Sequence, residues 1–100
     1  MKPPEYWDRQ CRPLTSDRWI KLLTDGKYRH VAEHNNGNLR VLTEWLGFER
    51  ERDHAGRPLI FRTLVYVNGT IDDVGGWYAT EPEAGAGHVK VCMRREGRLK

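Results

Sequence analysis

Cysteine is scarce in this chain. Cys11 and Cys92 stand near opposite ends and form no CxxC pair, which excludes a disulfide framework and leaves two thiols, or a single bridge between them. A long apolar run is also missing. No stretch approaches the ~20 residues that span a bilayer, and the opening Met-Lys-Pro-Pro-Glu-Tyr lacks the apolar segment of a signal peptide. The expectation is a soluble cytoplasmic protein with no membrane partner. Nor does one sign of charge dominate. Charged residues make up 31% of the chain, yet the formal net charge is only +3, well short of the dense positive field of a dedicated nucleic-acid binder. There are no internal repeats, no low-complexity segments and no complete catalytic motif.

What remains is enough for one domain of 100 residues whose hydrophobic fraction is 38%, with four Trp and four Tyr supplying much of the bulk. The clearest pattern lies in residues 39–48 and 59–67. Laid antiparallel so that opposed residue numbers sum to 106, they set Val41 against Val65, Leu42 against Leu64, Thr43 against Thr63, Glu44 against Arg62, Trp45 against Phe61 and Leu46 against Ile60. Each pair is like with like or opposite in charge, as expected of directly opposed cross-strand residues.

A further strand is expected over residues 28–34. Asn36-Gly37 follows it, a strong signal for a two-residue hairpin loop, since a type I′ turn needs positive φ at both central positions. Centring the turn there makes opposed numbers sum to 73, so Arg29 meets Glu44, Val31 meets Leu42, Ala32 meets Val41 and Glu33 meets Arg40. The result is a row Arg29–Glu44–Arg62 across three strands. By parity one face carries Tyr28, His30, Ala32, Val41, Thr43, Trp45, Phe61, Thr63 and Val65 and should lie under helices. The other mixes charge with an aliphatic band, Val31–Leu42–Leu64, more apolar than a wholly solvated face usually is.

The flanks supply the helices. Residues 1–14, with Pro3, Pro4 and Pro13, read as an arm held down by Trp7. Thr15-Ser16-Asp17 offers an N-cap to a helix over 16–24, with Gly26 as its stop. Asn68-Gly69 marks another turn. Residues 70–76 are glycine- and acid-rich for a strand, and residues 77–79 fit a short fourth one. Thr80-Glu81-Pro82-Glu83 fits a capping box for a helix running to Arg95, with Ala84, Gly87, His88, Val91 and Cys92 as its buried stripe. Gly97 ends it and a basic tail follows. The fold expected is α+β: an antiparallel meander of three to four strands in one domain over 1–100, with an N-terminal and a C-terminal helix packed mainly on one face.

Arg29-His30-Val31-Ala32, then Val41, Thr43 and Trp45-Leu46-Gly47-Phe48, then Pro58-Leu59-Ile60-Phe61 and Thr63-Leu64-Val65-Tyr66, then Tyr78, Thr80, Glu83-Ala84 and Gly87-His88 resemble a family of small bacteriophage proteins. The resemblance covers about residues 19–90. It implies a setting, a phage accessory protein in the host cytoplasm, and no chemistry. Two positions depart from the pattern: Phe48-Glu49-Arg50 stands where the family often has an acidic residue and a histidine, and Arg62 stands where it has a glutamate.

The candidate chemistry is modest. His30 and His34 on one strand would sit ~13 Å apart, too far for one ion. Asp72, Asp73, Asp53 and His54 read as solvated turn formers, so neither metal nor cofactor is expected. His30, Thr43, Thr63 and His88 form a candidate polar pocket: a His acid/base pair in one reading, a satisfied buried network in the other. Lys90, Arg94, Arg95, Arg98 and Lys100 offer contact to phosphates or an acidic partner, and they also suit a helix C-terminus. The leading expectation is a non-enzymatic module that binds and modulates a host protein. Its contact surface is the Val31, Leu42 and Leu64 band with Arg29, Glu44 and Arg62 beside it, plus a mobile loop over 49–57 carrying Arg50, Arg52 and Arg57. The edge strand at 28–34 is open to pairing across a two-fold axis in a homodimer. The alternatives are a nucleic-acid or nucleotide binder stacking on Trp45, Trp77 or Tyr66, and a small hydrolase centred on His30 and His88.

Overall fold

A computed structural model describes residues 6–97 of the chain. The elements are β1 (Tyr6–Trp7), β2 (Pro13–Leu14), α1 (Ser16–Leu23), α2 (Gly26–Arg29), β3 (His30–Asn36), β4 (Leu39–Trp45), β5 (Phe61–Val67), β6 (Thr70–Tyr78) and α3 (Glu81–Arg95). The last four strands make one antiparallel sheet in the order β3-β4-β5-β6, the expected meander, and α3 packs on it. The fold is α+β. Arg98, Lys100 and the first five residues of the arm lie outside the described residues.

The central register is the one the sequence implies. From Leu39 opposite Val67 to Trp45 opposite Phe61, β4 and β5 pair without a break. The β3–β4 hairpin differs. Asn36 pairs with Leu39, so the two loop residues are Gly37 and Asn38, not Asn36 and Gly37. Among the described loop residues only Gly37 has positive φ, 62°, as a II′ turn with glycine first requires. The pairing therefore slides by two residues, to His34 opposite Val41 and Ala32 opposite Thr43. Val31 is then bulged out, and His30 pairs with Glu44. A bulge switches the face of every residue beyond it.

At the other hairpin Asn68 and Gly69 have φ of 54° and 78°, a type I′ loop as the sequence suggests. The strand after it is longer than expected, nine residues. The glycine- and acid-rich segment joins the sheet because Gly75 and Asp72 are absorbed as register breaks against β5.

Local signals account for the helices. Thr15 caps α1 by accepting from the Arg18 amide. Gly26 does not stop a single helix there: Asp25 accepts from the amides of Lys27 and Tyr28 and starts α2, which takes Tyr28 and Arg29 out of the first strand. Residues 6–14, read as an arm, form a small hairpin, β1 with β2, and the Trp7 carbonyl accepts from the Trp45 indole N–H at 2.9 Å. Thr80 caps α3, and its hydroxyl donates to Glu83 Oε1 at 2.8 Å, a side-chain variant of the capping box.

Two buried clusters hold the layers together. Trp45, Ile60, Phe61 and Ala84 form one, joined by Trp7, Trp19, Tyr28 and Val31; Val41, Val65 and Val91 form the other. The Val31 side chain, freed from the ladder by the bulge, packs into the first cluster.

Candidate functional site

Pleat alternation puts the α3-facing residues Val41, Thr43, Phe61, Thr63 and Val65 on one side of the sheet and their neighbours on the other. That other side is built of cross-strand rows. His30, Glu44, Arg62 and Trp77 are opposed in one; Glu33, Leu42, Leu64 and Val74 in the next; Asn35, Arg40, Tyr66 and Ile71 in a third. Val74 is 47% exposed and Ile71 55% exposed, so the aliphatic band continues onto β6 and meets solvent there. The band expected as Val31–Leu42–Leu64 is thus Leu42–Leu64–Val74. Val31 leaves it because the bulge turns it into the core.

The charged row forms as expected, by another route. Arg29 Nη2 donates to Glu44 Oε2 at 2.7 Å and Arg62 Nη2 to Glu44 Oε1 at 3.0 Å. Arg29 reaches Glu44 from α2, not from an opposed strand position. Glu44 is buried, while Arg29 Nε and Arg62 Nε are buried with no hydrogen-bond partner among the described residues. Both Arg62 and Arg50 also place their guanidinium groups over the Trp77 ring, 5.7 and 5.4 Å from its centroid. Glu33 bonds Arg40 at 2.8 Å, diagonally across the ladder. Hydrogen bonds from Asn35 and then from Arg40 hold the Glu33 carboxyl below its ordinary range.

The loop over 49–57, expected as a mobile contact element, is bonded within itself and to α3. Arg52 donates to both Glu49 oxygens and to the Gly56 carbonyl. Arg57 binds Asp53 and reaches Glu83 of α3 at 3.0 Å. The Arg57 amide leads the hydrogen bonds that hold the Asp53 carboxyl low, while Glu83 and then Asp53 raise the already high value of Arg57. Two of the three arginines nominated there thus tie the loop down, and the third covers Trp77.

Beneath α3 the polar cluster assembles without one member. Thr43 Oγ1 lies 2.5 Å from Thr63 Oγ1 and 2.8 Å from His88 Nδ1, all three buried. His30 is not there. Displaced by the bulge, it is exposed and contacts Glu33 at 3.3 Å. Burial, then the fields of His34 and His30, pushes the His88 imidazole below its ordinary value. A neutral ring wedged between helix and sheet, bonded to a threonine pair, matches the satisfied-network reading. His34 instead sits 3.0 Å from Glu96 at the end of α3. Among the described residues no group of His, Cys, Asp and Glu could hold a metal ion, no disulfide joins Cys11 to Cys92, and no helix is long and apolar enough to cross a membrane.

The three aromatics nominated for base stacking are engaged internally. Trp45 has no exposed surface, Tyr66 lies under Arg40 with the guanidinium 5.3 Å from its centroid, and Trp77 carries its two arginines. Ile71 and Val74 were missed as surface residues because the acidic segment around them masks the strand. Parity counted back from Asn68-Gly69 would have pointed Ile71 outward. No family model, curated protein or solved structure matches the chain.

Proposed function

We propose that this chain is a non-enzymatic interaction protein, of the bacteriophage setting its sequence blocks resemble, which binds and modulates a host protein through the sheet face away from α3. The observation that carries this reading is the cross-strand band Leu42–Leu64–Val74 with Ile71 beside it, apolar and solvent-exposed at its β6 end. Arg40, Arg62 and Arg50 border it. An apolar centre with a charged, arginine-rich rim is the composition of an interface. The complementary partner presents an apolar patch with an acceptor for the Arg50 guanidinium at its edge, since Arg40 and Arg62 are held by Glu33 and Glu44. The hydrolase alternative needs His30 beside His88, and the two lie apart, His30 exposed and His88 buried against Thr43.

Affinity capture from host lysate, comparing the natural chain with Ile71→Glu and Val74→Glu, tests it. Both positions are exposed, so folding should change little, within about 0.5 kcal/mol. The expected outcome is a saturable host protein that both variants lose. A captured set unchanged by the substitutions, or no enrichment above a bare matrix, would sink the reading.

A further inference from the structure

A concave feature lies on the α3 side of the sheet, where α3 crosses β6. It is a cleft of about 360 Å³ walled by Gly75, Tyr78, Gly87, Lys90, Val91 and Arg94, with Glu83 at one end. Glycine makes the cleft possible. A Cβ on Gly75 would stand 2.9 Å from Val91, and one on Gly87 would overlap the Tyr78 ring. Helix and strand therefore approach closely, and the tyrosine lies flat across the helix backbone with its hydroxyl between Gly76 and Gly87. That hydroxyl makes no hydrogen bond to a described residue.

The cleft carries an excess of positive charge. Elsewhere Arg9, Arg12, Arg29, Arg40, Arg52, Arg57, Arg62 and Arg95 all sit on carboxylates. Lys90 and Arg94 have no carboxylate partner among the described residues. Four apart on α3, they stand on the same helix face with ~5–6 Å between their Cβ atoms. Glu83 offsets them only in part: Arg57 is shared between Asp53 and Glu83, so that group leaves one negative charge against the two cations.

We infer that this cleft binds a small phosphomonoester, its phosphate held by Lys90, Arg94 and the Tyr78 hydroxyl and its carbon part against Val91. The match is of charge and of donors. A phosphomonoester carries about −1.5 to −2 near neutral pH and three strong acceptor oxygens. Arginine offers a planar fork to two of these oxygens, lysine a compact charge, and the phenol a neutral donor. The site is separate from the open sheet face, so either assignment stands or falls without the other.

The test is a backbone-amide NMR titration of the full chain at constant, near-physiological ionic strength. The probes are inorganic phosphate, ribose 5-phosphate and adenosine 5′-monophosphate. Saturable shifts confined to residues 75–78 and 86–94 are expected, with both esters binding more tightly than phosphate alone. Lys90→Gln and Arg94→Gln, which keep their stems, should each weaken binding about tenfold or more, and Tyr78→Phe by less. Arg18→Ala, on α1, should change nothing. If the two cations only complement the α3 dipole, these variants lower the melting temperature and leave the titration unaltered, which overturns the inference. So do shifts that never saturate or spread equally to α1, and an inorganic phosphate that binds as tightly as the esters.

Discussion

Replacing Glu44 by glutamine removes one charge from the centre of the Arg29–Glu44–Arg62 row and leaves its shape intact. Glu44 accepts from two guanidinium groups, at 2.7 and 3.0 Å, and its side chain is only 8% exposed. A hydrogen bond to a charged group is worth roughly 1.5–3 kcal/mol when dry, an exposed ion pair roughly 0.2–1 kcal/mol. Both arginines keep access to water, at 37% and 26% exposure, so solvent recovers part of what each loses. Neither bond is bidentate, since both Nε atoms are buried and unpaired. The loss should therefore fall between the two limits, about 1.5–3 kcal/mol for the pair of contacts. For a domain of this size that lowers the melting temperature by roughly 6–24 °C.

Urea and thermal unfolding followed by circular dichroism give the number, with an unchanged denaturant slope as the sign that compactness is preserved. Arg62→Gln alone also loses its place over Trp77, so a double-mutant cycle with Glu44→Gln is needed to isolate their coupling, expected at about 1 kcal/mol. A total loss under about 0.5 kcal/mol would refute the reasoning. The row would then be an ordinary solvated surface chain, and its position between α2 and β5 would fix nothing.

Two glycines of α3 should respond in opposite directions. Gly85→Ala meets nothing within 4 Å and should stabilise by roughly 0.5–1 kcal/mol, whereas Gly87→Ala drives a methyl into the Tyr78 ring and should cost about 1–3 kcal/mol despite the same helix-propensity gain. Chemical denaturation reads both, and a shared sign would contradict the close approach of α3 to β6. For His88, burial holds the folded imidazole below its ordinary value of 6.5, so the unfolded chain binds a proton more readily than the folded one. Stability from this group is complete above pH 6.5 and is lost as pH falls through the depressed folded value. His88→Gln should flatten that part of the pH–stability curve, and a curve of unchanged slope would show that another group carries it.

Charge pairing proved a good guide to contacts and a poor ruler for register. Arg29–Glu44 and Glu33–Arg40 both form, although neither is a directly opposed pair. Long side chains reach a neighbouring row, so a correct ion pair is compatible with a strand displaced by two residues. The short pairs Thr43–Thr63 and Val41–Val65 have no such reach, and it is the β4–β5 register they define that stands. The hairpin loops are decided more locally still. In Asn-Asn-Gly-Asn the glycine fits either central position, and only the backbone φ at Asn38 separates a I′ loop on Asn36-Gly37 from a II′ loop on Gly37-Asn38. Asn68-Gly69 has no second asparagine after the glycine, and its turn is legible.

The single extra residue at Val31 explains both what the candidate surface lost and what it kept. Asp25 starts α2, which carries the chain into β3 with Arg29 still helical, and the bulge reconciles that entry with the ladder already set at His34–Val41. Residues before the bulge change face, so His30 leaves the threonine pair and Val31 enters the core. Residues after it, and all of β4 and β5, keep the parity the sequence assigns. The band therefore survives the loss of its first member, with Leu64 buried and Leu42 half-buried, because both depend only on the unbroken central pairing. Its exposed end is supplied by Val74, set opposite Leu64 between two register breaks that absorb Asp72 on one side and Gly75 on the other. A glycine that looks unfit for a strand is here what lets β6 pass close under Val91.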